Sequence, residues 1–99
     1  MAFYGKEEAT RQISEAIAHI VKGSTSSVVS LSEMMACAAE CAKRKNLTEE
    51  SVMYWQNLVN RIDDVLNKRL QMISLKPNQT ERIKRNQERS FKIILCEEA

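Results

Sequence analysis

Thr48–Leu75, TEESVMYWQNLVNRIDDVLNKRLQMISL, is the stretch whose reading decides the fold. Val52, Trp55, Val59, Ile62 and Leu66 recur at alternating steps of three and four, the spacing that lines one face of an α-helix. Leu58, Val65 and Met72 recur seven apart beside that seam. They widen it to a stripe, which suits a bundle core better than the narrow contact of a two-stranded coiled coil. At 1.5 Å per residue the predicted helix, 48–75, is roughly 42 Å long. Thr48 can cap it, Glu49 and Glu50 favour the positive end of its dipole, and Leu47 with Val52 has the spacing of a hydrophobic staple. Pro77 keeps Lys76 out of helical geometry and is expected to close it.

Upstream, a second helix is predicted over about 27–45. Its inward face is small and soft: Leu31, Met34, Met35, Cys37, Ala38, Cys41 and Ala42. Such residues admit a close neighbour, and methionine fills irregular gaps. Ser30 with Glu33 fits a capping box, and Asn46 is a candidate left-handed terminator. Earlier still, Ala9, Ile13, Ala16, Ile17, Ile20 and Val21 mark the apolar face of a helix over about 6–22, stopped by Gly23.

Downstream the pattern is weaker. A fourth helix over about 80–96 is predicted, yet Ile83 is followed by seven polar or charged residues, Lys84 to Ser90. The run Phe91, Ile93, Ile94, Leu95, Cys96 fits a helix face, and it also has the short β-branched character of a strand. The expectation is an all-α, antiparallel bundle of three helices with a fourth C-terminal segment, in one domain spanning 1–99.

The composition agrees. Of 99 residues, only 2 are Gly and 1 is Pro, so turns are few. Net charge is +2, unevenly placed: residues 1–75 carry 9 Lys/Arg and 9 Asp/Glu, residues 76–99 carry 6 and 4. The N-terminal stretch lacks the apolar core of a signal peptide, and no apolar run approaches the ~20 residues of a membrane span. The three cysteines read as reduced thiols, which makes an intracellular location, cytoplasmic or nuclear, the expectation.

No constellation for catalysis stands out. Cys37 and Cys41 lack the further ligands of a zinc site, and the lone His19 follows Glu15 at four, not the three of a di-iron Glu-x-x-His motif. No G-x-S-x-G turn presents a nucleophile. The sequence therefore points to no enzyme, no cofactor and no metal.

The lengths point to a docking role. A 42 Å helix outreaches neighbours of roughly 26 and 28 Å, leaving Leu70, Met72, Ile73 and Leu75 on an overhang. Those four, together with Phe91, Ile94 and Leu95, are the candidate partner-binding surface, since exposed apolar patches usually mark contact sites. The expected function is a protein–protein interaction module, an adaptor or a small subunit, binding itself as a homodimer or joining a larger complex. The alternative is a nucleic-acid-associated protein that contacts a polyanion through Arg82, Lys84, Arg85, Arg89 and Lys92.

Overall fold

The computed structural model describes residues 3–96, which form four helices: α1 (Lys6–Val21), α2 (Thr25–Cys41), α3 (Glu49–Leu70) and α4 (Pro77–Leu95). Among the described residues there is no strand, so the 91–95 run resolves as helix. The all-α bundle expected from the sequence is the fold.

The helix ends follow local chemistry. Gly23 takes a left-handed φ of 98°, and its N–H donates to the carbonyl of Ile20 at 2.9 Å. Ser24 then caps α2 by accepting from the N–H of Ser27, so α2 starts at Thr25, ahead of the expected 27. It ends at Cys41 rather than 45, because the N–H groups of Lys43 and Arg44 turn to the carbonyls of Glu40 and Cys41. Asn46, at φ 62°, reverses the chain. Thr48 caps α3 by accepting from the N–H of Ser51 at 3.1 Å.

The largest departure is at the far end of α3. It stops at Leu70, not Leu75, with the N–H groups of both Met72 and Ile73 on the carbonyl of Arg69. Residues 71–76 are used to reverse direction; Leu70 at the end of α3 and Ile73 and Leu75 from that turn pack against the core. Pro77 does not terminate α3. It sits in the first turn of α4, where its missing N–H costs nothing and its fixed φ suits the helix. The N–H of Lys76 is satisfied by Oε1 of Gln79 at 3.1 Å. At 22 residues α3 is roughly 33 Å long. It is the longest helix, but it does not reach the predicted 42 Å.

α2 lies at the centre of the arrangement and packs against α1, α3 and α4. The contacts Glu33–Arg82, Glu40–Arg89 and Lys43–Cys96 advance together along both chains, so α2 and α4 run parallel. Sequence neighbours run antiparallel. α1 and α4 occupy different flanks of α2 with no close backbone approach to each other.

The core is built from Ile13 and Ile20 of α1, from Val28, Leu31, Met35 and Ala38 of α2, and from Trp55, Val59, Ile62 and Leu66 of α3. Phe3, ahead of α1, completes it. Its ring is fully buried and stacks on Trp55 at a centroid distance of 6.1 Å, while Tyr54 meets Trp55 edge-on at 5.2 Å. The guanidinium of Arg44 donates to the carbonyl of Phe3 and fixes the N-terminal segment in place.

Candidate functional site

α4 carries both candidate surfaces. Within its seven-residue polar stretch, Asn86, Gln87 and Ser90 face inward, while Lys84, Arg85, Glu88 and Arg89 are exposed. Ile83, Asn86, Gln87, Ser90 and Ile94 recur at steps of three, one, three and four, the outline of one helix face with polar side chains at its middle. Nδ2 of Asn86 donates to Oγ of Ser32 at 2.9 Å, and Oγ of Ser32 donates to the carbonyl of Val29 at 2.6 Å. Oγ of the fully buried Ser90 donates back to the carbonyl of Asn86 at 2.7 Å. On the other side, Nε2 of Gln87 donates to Asp63 at 2.8 Å and Asn67 at 2.9 Å, tying α4 to α3. Among the described residues no buried side-chain polar atom lacks a partner.

Of the five candidate polyanion contacts, three face carboxylates. Arg82 lies 3.1 Å from Glu33, Arg89 lies 3.1 Å from Glu40, and Arg85 lies 3.2 Å from Glu81. Lys84 and Lys92 are exposed on the outer side of α4. The two pairs to α2 repeat at seven residues on both helices, so they align the parallel seam. Being exposed, each is worth no more than about 1 kcal/mol. Between them runs a groove lined by Glu33, Ala36, Cys37, Glu40, Asn86 and Arg89.

The seven candidate apolar contacts do not come together. Leu70, Ile73 and Leu75 are half-buried against the core, and Met72 is exposed beside them. Phe91, Ile94 and Leu95 lie at the other end of α4, where Phe91 and Ile94 are half-buried and Leu95 is 76% exposed. Pro77 and Leu95 are separated by roughly 27 Å of helix rise. The expected single patch is therefore two, at opposite ends of α4, and Met72, Ile73 and Leu75 lie in the turn after α3 rather than on a helical overhang.

The thiols of Cys37 and Cys41 are both pushed above the usual thiol pKa, chiefly by burial, so neither is an activated nucleophile. Among the described residues, no group of three His, Cys, Asp or Glu is placed to hold a metal ion. No helix among the described residues is long and apolar enough to cross a membrane.

The sequence reading missed Phe3, and it missed that Ser32, Asn86, Gln87 and Ser90 face inward. The helical spacing of these polar residues was present; only their polarity concealed it. No protein-family model matches the chain, and neither a curated protein nor a solved structure shows significant similarity to it.

Proposed function

We propose that this chain is a non-catalytic protein–protein interaction module, an adaptor or small subunit that docks through the C-terminal end of α4. One observation supports the reading. From Phe91 to Leu95 the helix carries four large apolar side chains of which Leu95 is 76% exposed and Phe91, Ile93 and Ile94 are only half-buried against the core, whereas Ile83 near its start is fully enclosed. A cluster of this kind at one end of a small domain gains most by burial against another protein. The partner is a second copy or another subunit, and the exposed Lys92 flanks the contact. The nucleic-acid alternative is weakened by the carboxylates opposite Arg82, Arg85 and Arg89, which compete with phosphate.

Sedimentation equilibrium of the wild type beside a Leu95→Asp variant tests self-association, with Met72→Asp as control at the opposite end. The reading expects a concentration-dependent mass, or a specific partner retained from source lysate, lost with Leu95→Asp and kept with Met72→Asp. A wild type that stays monomeric and retains nothing that Leu95→Asp loses overturns it.

A further inference from the structure

Among the described residues, every buried apolar side chain of the core except Ile83 comes from Phe3, α1, α2, α3 or the residue after α2. Three helices thus enclose a nearly complete core, and α4 is laid over it. Between α2 and α4 the Asn86–Ser32 hydrogen bond and the small Ala36 stand where large apolar side chains would otherwise meet, which limits the apolar area buried there. The remaining ties are the buried Ile83, the half-buried Phe91, Ile93 and Ile94, hydrogen bonds from Gln87 and from Lys43 to the carbonyl of Cys96, and the exposed pairs Arg82–Glu33 and Arg89–Glu40. Against these stand four buried apolar side chains on α1 and more on α2 and α3. α4 makes no close approach to α1. The connection before it exposes Gln71, Met72, Ser74 and Lys76. Apolar burial is the main stabilising term in a small domain, and elements with little of it open first.

We infer that α4 opens from the α1–α3 core as one cooperative unit, at lower cost than global unfolding, swinging about residues 71–76. Opening uncovers Ile83 and the inner sides of Phe91 and Ile94, along with the small-residue strip of α2. The inference rests on packing alone and stands or falls separately from the docking role of Leu95.

Native-state amide exchange of the full chain tests it. In the wild type, amides from Thr80 to Ile94 exchange through a shared opening at least about tenfold more frequent than the one that exposes Leu31 to Ala39. Two conservative variants then separate partial from global opening. Ile13→Val weakens α1 packing, which the partial opening leaves intact. It speeds exchange in α2 by about two- to tenfold and leaves α4 unchanged. Ile83→Val weakens a contact broken in both openings, so α4 and α2 speed up by the same factor. A single rate shared by α2 and α4 overturns the inference. So does α4 accelerating with α2 in Ile13→Val, or α4 failing to accelerate in Ile83→Val.

Discussion

Asn86 of α4 donates its amide to the hydroxyl of Ser32 on α2 at 2.9 Å, a side-chain hydrogen bond within the most extensive helix–helix contact. Ser32 is fully buried and Asn86 partly so, which makes the bond expensive to break on one side. Ser32→Ala and Asn86→Ala are each expected to destabilise the fold by about 1–2 kcal/mol. The double variant should cost less than the sum, by about 0.5 kcal/mol or more, because the second change no longer strands a partner. Urea unfolding of the four proteins measures this, and strict additivity counts against a coupled bond.

Phe3 lies outside any helix but contributes a buried ring to the core. Phe3→Ala should destabilise by about 3 kcal/mol or more, the usual cost of deleting a buried aromatic. Trp55, which loses its stacked neighbour, should shift its emission to longer wavelength in the folded state. An unchanged urea midpoint would show that the N-terminal segment contributes little.

The two left-handed residues should respond differently to substitution. At Gly23 an added Cβ meets no atom within 4 Å, so the cost of Gly23→Ala is conformational, about 1 kcal/mol or slightly more. Asn46→Gly, at φ 62°, should be neutral within about 0.5 kcal/mol. Thermal melts of both variants decide the matter; a neutral Gly23→Ala would be the surprise.

The buried thiols make stability pH-dependent in a defined direction. Burial raises the Cys37 and Cys41 pKa above the unfolded value of 9.0, so on the alkaline side the unfolded chain loses these protons first. The unfolded state then binds fewer protons than the native state, and stability falls as pH rises through 9. Below that pH both states keep the proton and the contribution is constant. A Cys37→Ala, Cys41→Ala variant should lose part of this alkaline slope. Urea midpoints from pH 7 to 10, compared between variant and wild type, measure the contribution of the thiols.

The legible part of the fold was the part written in apolar residues. The Val52–Leu66 seam, the Ile13–Ile20 face, Gly23 and the Thr48 cap all have a direct signature at fixed spacing, and the structure places each accordingly; Asn46 is left-handed as expected, but α2 has already ended at Cys41. Two features were not legible. Pro77 is compatible with ending one helix or beginning the next, and only the need to return the chain over α2 selects the second. The inward face of α4 was hidden because Asn86, Gln87 and Ser90 count as solvent-facing unless their partners Ser32, Asp63 and Asn67 are known. The candidate surface suffered from the first of these. Ending α3 at Leu70 removed the overhang that was to join Ile73 to Phe91.

Lys43 and Arg44, adjacent at the end of α2, hold opposite ends of the described chain: Arg44 through the carbonyl of Phe3, Lys43 through the carbonyl of Cys96. The fold therefore nearly closes on itself. A circularly permuted version, joined across that gap by a short glycine–serine bridge and cut within 71–76, keeps all four helices intact. In it α4 precedes α1, which inverts the order in which the lid and the three-helix core are synthesised.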